Sequence, residues 1–293
     1  MAFTIITDTS ANLPTEILLR EKIAIIPFAY HYDEQEHTCM DIDSFDGEKY
    51  YNAIRKGLRV STSQMNPQQC LDAFTPRLKK GEDIVYISMS SGISGAYNSA
   101  EMAAQELREE FPERKICTVD TKAASLGEGL VVLEAIHLRE LGMDAEEAAF
   151  YLRKYSQNIC QVFTVDDLMH LRRTGRLSNA GAFVGTVLNI KPVLMGDENG
   201  QIVAVNKVHG RKKAIADLAE RYDAHVVNAA ERTVGIAHAN NPEGAKELIA
   251  LLNANKPPKE IITVCYEPVT GSHVGPGALA LFFLGDRSFR SRK

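Results

Sequence analysis

Short β-branched and apolar runs alternate with longer stretches of helical spacing through the first half of the chain. Residues 3–7 predict a buried strand that ends in a polar loop carrying Asp8, Ser10 and Asn12. A helix is expected from about Pro14, a second apolar run covers 23–30, and 45–56 has helical spacing at Tyr50 and Ile54. A polar loop over 61–66 then leads to a helix over 67–80, a strand over 83–88 and a helix over 94–110. A strand over 115–119 and a helix over 124–141, with Leu126, Leu130, Leu133 and Leu141 on related faces, complete the series. Such alternation implies parallel strands joined by right-handed crossovers, a doubly wound α/β domain with its sheet buried on both sides.

After a charged helix over 144–155 the texture changes. Apolar runs at 189–195 and 201–208 flank Gly196-Asp197-Glu198-Asn199-Gly200, a hairpin signature that brings in antiparallel pairing. A helix from about Arg211, a strand over 233–238, a helix over 242–253 and a strand over 260–265 follow. The expected organisation is an N-terminal α/β domain over 1–158 with a mainly parallel sheet, and a smaller α/β domain over 159–293 with a mixed sheet. A hydrophobic share of 45% over 293 residues supplies core enough for two domains.

Charge and cysteine narrow the function classes. The net charge of −5 is spread without long like-charge blocks, so nothing draws the chain to nucleic-acid phosphates. Five scattered cysteines, Cys39, Cys70, Cys117, Cys160 and Cys265, never form a Cys-x-x-Cys pair and read as reduced packing thiols. With neither a basic-then-apolar leader nor a run of about 18 apolar residues, the protein is expected in the cytoplasm. No Walker A motif, no Gly-x-Gly-x-x-Gly after the first strand and no His/Cys cluster occur, so no cofactor and no metal are expected.

The densest polar cluster, residues 88–97, joins Ser88, Ser90, Ser91, Gly92, Ser94 and Gly95 at a strand-to-helix junction. In open α/β sheets ligands gather at the carboxyl ends of strands, and a helix N-terminus offers unpaired N–H groups to an anion. The alternative is a plain helix cap with turn glycines, and the same choice applies to Ser61-Thr62-Ser63-Gln64 and to Asp8-Thr9-Ser10. His273 stands among turn residues, with Gly275 and Gly277 permitting close backbone approach. Arg172, Arg173 and Arg176 form one cationic stretch, and His209 and Arg211 belong to a second. Both stretches suit an anion, a partner protein or open solvent. A serine esterase or lipase competes, because Gly92-Ile93-Ser94-Gly95-Ala96 approximates a nucleophile elbow, with Ser94 as nucleophile and His273 as base. Ala96 replaces the elbow's last glycine, and no His-Gly-Gly segment precedes it.

Taken together, Ile6 to Ser10, Ser61 to Gln64, Ser90 to Tyr97, Asp120 to Gly127, Leu171 to Arg176 and His273 to Gly277 resemble the motifs of the DegV family in order and spacing. The resemblance implies a fatty acid such as palmitate enclosed between two domains, its tail in an apolar tunnel. Its carboxylate would be held by Thr62 and Ser94, with His273 beside them and Ser63, Ser91, Gly92, Gly95 and Gly275 shaping the loops. Arg172, Arg173, Arg176, His209 and Arg211 would face the head group or a partner. Some similar proteins present the acid to a separate fatty acid kinase that forms an acyl phosphate, so the resemblance implies that the chain would be a lipid carrier without chemistry of its own. Transient contact with a membrane surface fits that role. Met65 and Asn66 depart from the proline and serine common in relatives, and His209 from their arginine.

Overall fold

The computed structural model describes residues 3–178 and 189–291. Two compact units emerge: Met1–Phe45 with Ser61–Gln157, and Asp46–Val60 with Asn158–Lys293. Residues 46–60, expected in the first domain, pack instead with the second.

The chain opens with β1 (Thr4–Asp8), α1 (Thr15–Arg20), β2 (Ala24–Ile26), β3 (Ala29–Tyr32) and β4 (Gln35–Thr38). Helix α2 (Gly47–Arg55) belongs to the second unit, and the first resumes with β5 (Ser61–Ser63), α3 (Pro67–Leu78) and β6 (Ile84–Ser88). It closes with α4 (Ala96–Glu110), β7 (Ile116–Asp120), α5 (Leu126–Glu140) and α6 (Ala145–Ser156). Strands β2-β1-β6-β7 form a parallel sheet in that order. Every residue of β6 is buried, as a strand covered on both faces requires.

Helices α3 and α4 pack together on β6, and α5 with α6 does the same. Ala96, Ala100, Ala103, Ala104 and Leu107 make the buried stripe of α4. Helix α5 is buried almost all round, and at Gly129 an added Cβ would lie 2.7 Å from Ala11 O, so the glycine lets α5 touch the loop after β1. Both α3 and α6 start at reciprocal caps, Asn66 with Gln69 and Asp144 with Glu147.

Residues 61–66 were expected as a loop at a strand end of this sheet; the structure corrects this. Pro27 interrupts the apolar run after Ile26, since proline has no N–H for the ladder, and the chain leaves the parallel sheet. Strands β4-β3-β5 form a separate antiparallel sheet, with Tyr30 opposite Thr62 and Ala29 opposite Ser63.

The second unit continues with β8 (Ile159–Thr164), α7 (Met169–Arg173), β9 (Ile190–Gly196), β10 (Ile202–His209) and α8 (Arg211–His225). Then come β11 (Thr233–His238), α9 (Pro242–Asn255), β12 (Glu260–Cys265), α10 (Pro268–Val274) and β13 (Leu279–Leu284). Its sheet, β10-β9-β8-β13-β11-β12, is antiparallel except for β11 with β12, and at six strands it is larger than the first unit's parallel sheet of four. The hairpin turn after β9 is tied by Asp197 Oδ1, which accepts from Asn199 N and Gln201 N. Ile215, Leu218 and Tyr222 of α8 and Leu248 and Leu252 of α9 cover the sheet core of Val162, Val193, Leu281 and Phe283. Among the described residues no helix is long and apolar enough to cross a membrane.

Two tyrosines bind α2 to this unit: Tyr50 Oη donates to Pro268 O (3.0 Å) and Tyr51 Oη to Tyr266 O (2.7 Å). Tyr51 is fully buried, and a Cβ on Gly271 would overlap its hydroxyl and stand 2.8 Å from Cζ. Gly271→Ala is expected to lower stability by about 1–3 kcal/mol in urea unfolding. Adding Tyr51→Phe should recover part of that loss, so that the double variant is more stable than the two single effects sum to.

Candidate functional site

Strand order reverses between β1 and β6: from β1 the chain reaches β2 on one side, and from β6 it reaches β7 on the other. Crossovers therefore diverge at the carboxyl ends of these two strands and leave a crevice there. The Asp8-Thr9-Ser10 loop and the turn over 89–95 occupy it.

The turn is held by its own polar groups. Gly92 N donates to Ser90 Oγ (3.0 Å), Ser91 N to Asp120 Oδ1 (3.2 Å) and Ala96 N to Ser94 Oγ (3.2 Å). Ser91 Oγ accepts from Lys122 Nζ (2.9 Å), and Lys122 in turn pairs with Asp120 (2.7 Å). Lys122 takes a positive φ of 53° to do so, a conformation that costs a non-glycine residue energy. Gln64 reaches across from the end of β5: its Oε1 accepts from Gly95 N at 2.6 Å and lies 3.4 Å from Ser94 Oγ. This contact ties the Thr62 segment to the Ser94 turn. Ser63 faces the other way, its Oγ 2.9 Å from His31 Nε2. Ser94 is not among the non-glycine residues with positive φ, so it lacks the strained backbone of a nucleophile elbow, and neither partner of its hydroxyl is a base.

Beneath the crevice lies a fully buried hydroxyl–carboxyl chain. Ser10 Oγ is 2.5 Å from both Asp8 Oδ1 and Glu128 Oε2, and Thr7 Oγ1 is 2.9 Å from Ile87 O and 2.8 Å from Glu128 Oε1. Each hydroxyl brings one proton and Ile87 O can only accept, so the carboxyl groups must supply the remaining protons. Burial pushes Asp8 up to about 6, against hydrogen bonds from Ser10 and Tyr86 that pull it down.

In the second unit His273 lies in the last turn of α10, not in the loop the glycines suggested. Burial, and the Arg176 guanidinium beside it, hold the imidazole down to about 4, so it is neutral at physiological pH. Gly275 (φ 78°) passes under the His170 ring, where a Cβ would be 2.5 Å from Cδ2. Arg173 stands 3.3 Å from His170 Nδ1, and Arg176 Nη1 donates to Thr174 O (2.5 Å). Arg172 and His209 are exposed. Arg211 is committed to structure: with Lys191 it pairs with Asp166 (2.5 and 2.6 Å), and it donates to Gly277 O (2.7 Å). A groove of about 820 Å³ within this unit runs past Arg55, Arg59, His170, Arg173 and Ser272.

The structure thus links Gln64, Ser94 and Gly95 in one contact, sets Ser91 and Gly92 in the same turn, and turns Ser63 away. Sequence reasoning missed Gln64 as a strut, Asp120 and Lys122 as clamps, Glu128 as a buried partner of Ser10, and Asp166 as the anchor of Arg211. Gln64, Asp120 and Lys122 lay within recognised motifs; Glu128 and Asp166 carried no local signal, because their partners are distant in sequence. Among the described residues no group of three His, Cys, Asp or Glu is placed to hold a metal.

The model of a family described as "Uncharacterised protein, DegV family" matches residues 2–286. A DegV domain-containing protein of Clostridium perfringens is 37% identical over 97% of this chain and 98% of its own. A solved DegV family protein from Thermus thermophilus, described by its fatty acid binding, superposes with a TM-score of 0.87 at 28% identity, over 96% of this chain and 99% of that one. DegV of Bacillus subtilis, described as a fatty acid binding protein, gives a TM-score of 0.81 at 31% identity, over 96% and 98%.

Two titrations follow from this geometry. Because folding raises Asp8 from 3.8 to about 6, its contribution is full below about pH 4 and is lost as pH rises through 6. Asp8→Asn should therefore gain stability relative to wild type at pH 7.5 compared with pH 4, by on the order of 2 kcal/mol in denaturant midpoints. For His273, histidine NMR should show one ring that stays neutral until about pH 4, and that signal should vanish in His273→Gln.

Proposed function

We propose, from the premise that the chain belongs to the DegV family, that it binds one long-chain fatty acid such as palmitate and acts as a lipid carrier. The observation that carries this reading is the donor-rich turn over 90–95 at the strand-order reversal, tied to the Thr62 segment through Gln64. A carboxylate leaving water must be met by several donors or be expelled. Thr62 and Ser94 supply hydroxyls, and the N-terminus of α4 adds the positive end of its dipole. His273, which the family resemblance assigns to the same head group, acts as a neutral N–H donor, not as a cation. The tail supplies the affinity, about 0.8 kcal/mol per buried CH₂. The relatives described as fatty-acid binding support the ligand class.

On this reading the carrier has no chemistry of its own. The bound acid is presented to a fatty acid kinase for acyl-phosphate formation, with the exposed Arg172 and its neighbours as the docking face, and it is exchanged at a membrane surface in the cytoplasm. Neither hydrogen-bond partner of the Ser94 hydroxyl, Gln64 Oε1 or Ala96 N, is a base, which speaks against a hydrolytic nucleophile.

Native mass spectrometry of the purified protein should detect one fatty acid that is released on denaturation. Thr62→Ala and Ser94→Ala should each weaken binding by on the order of 1–3 kcal/mol, roughly fivefold to a hundredfold in Kd, with the fold intact. An empty protein that reacts covalently at Ser94 with a fluorophosphonate would instead indicate the hydrolase.

A further inference from the structure

Gln64 is exposed, yet its amide is held in one orientation. A backbone N–H can only donate, so the 2.6 Å contact from Gly95 N fixes the oxygen of the amide against the turn. The NH₂ end is fixed with it. The N/O edge of the amide abuts Gly95, where an added Cβ would be 2.7 Å from Nε2, 2.8 Å from Oε1 and 3.2 Å from Cδ. Gly95 has a φ of −84°, which any residue adopts, so the glycine is needed there for space and not for conformation. Among the described residues Nε2 has no hydrogen-bond acceptor of its own.

Position adds direction. Gln64 lies just past the end of β5, two residues after Thr62, and its amide closes on the Ser94 turn, whereas Ser63 turns to His31. The residue that braces Ser94 therefore also offers two oriented N–H groups beside that turn.

We infer that Gln64 is a head-group residue of this site: its Oε1 positions the Ser94 turn, and its Nε2 donates a hydrogen bond to the ligand's carboxylate. The inference rests on the fatty-acid reading above and adds to it a determinant of specificity for an anionic over a neutral head group. An amide nitrogen that donates to a carboxylate becomes, in Gln64→Glu, an oxygen that repels it, while the other oxygen still accepts from Gly95 N.

The test compares palmitate with 1-hexadecanol, which has the same tail and no charge, on wild type, Gln64→Glu and Gln64→Ala. Far-UV circular dichroism and thermal melting check the fold of each variant. Gln64→Glu should lose about tenfold or more in palmitate affinity, more than Gln64→Ala, with hexadecanol binding kept within about threefold of wild type. Palmitate binding by Gln64→Glu within about twofold of wild type would overturn the donor role. Equal losses for palmitate and hexadecanol would overturn it too, since they would reduce Gln64 to a structural brace. A wild type that binds no fatty acid would defeat the underlying reading, whereas wild-type binding with an indifferent Gln64→Glu defeats this inference alone.

Discussion

A parallel sheet whose strand order reverses cannot roof the carboxyl ends of the two strands at the reversal with its own crossovers. In the first unit those strands are β1 and β6, and much of the local sequence answers that constraint. Polar loops fill the crevice, serine and aspartate side chains satisfy backbone N–H groups that no ladder can reach, and Lys122 donates to the Ser91 hydroxyl. Gly95 and Gly129 give up side chains where Gln64 and the Ala11 carbonyl approach. Below, the Asp8–Ser10–Glu128–Thr7 chain joins the loop after β1 to α5 and to the backbone of β6.

Charge at the crevice follows the same economy of partners, for Lys122 answers Asp120. What remains at the crevice are oriented dipoles: hydroxyls, an amide and a helix terminus. Dipoles held in place by packing lose little on binding and do not collapse onto a counter-ion when the site is empty. Salt screens such fixed dipoles less than it screens a patch of surface cations.

The strand–helix alternation and the β9–β10 hairpin were legible in the sequence, because period and turn chemistry are local. Strands β8 and β13 were not, since both are buried without alternation and read only as apolar runs. The β4-β3-β5 sheet depends on Pro27 ending one ladder and on Ser61 to Ser63 pairing with β3, a partnership no window of sequence displays. At the site, Thr62, Ser94 and the glycines stood out by type and position. The opposite facing of Ser63 became visible only once strand register was known, and the capture of Arg211 by Asp166 bridges 45 positions.

Helix α2 carries a consequence for how the chain is made. Its anchors, the carbonyls of Pro268 and Tyr266, lie 218 and 215 positions downstream of Tyr50 and Tyr51. On a ribosome the segment 46–60 emerges early and waits through nearly the whole of synthesis for the surface that buries its tyrosines, while the strands on either side of it already have neighbours to pair with. The first unit must fold around an unsatisfied excursion, and the second can close only when α10 has left the exit tunnel. A chain released before that point would expose Tyr50, Tyr51 and Ile54 together, and quality-control machinery that reads exposed apolar surface would find them there.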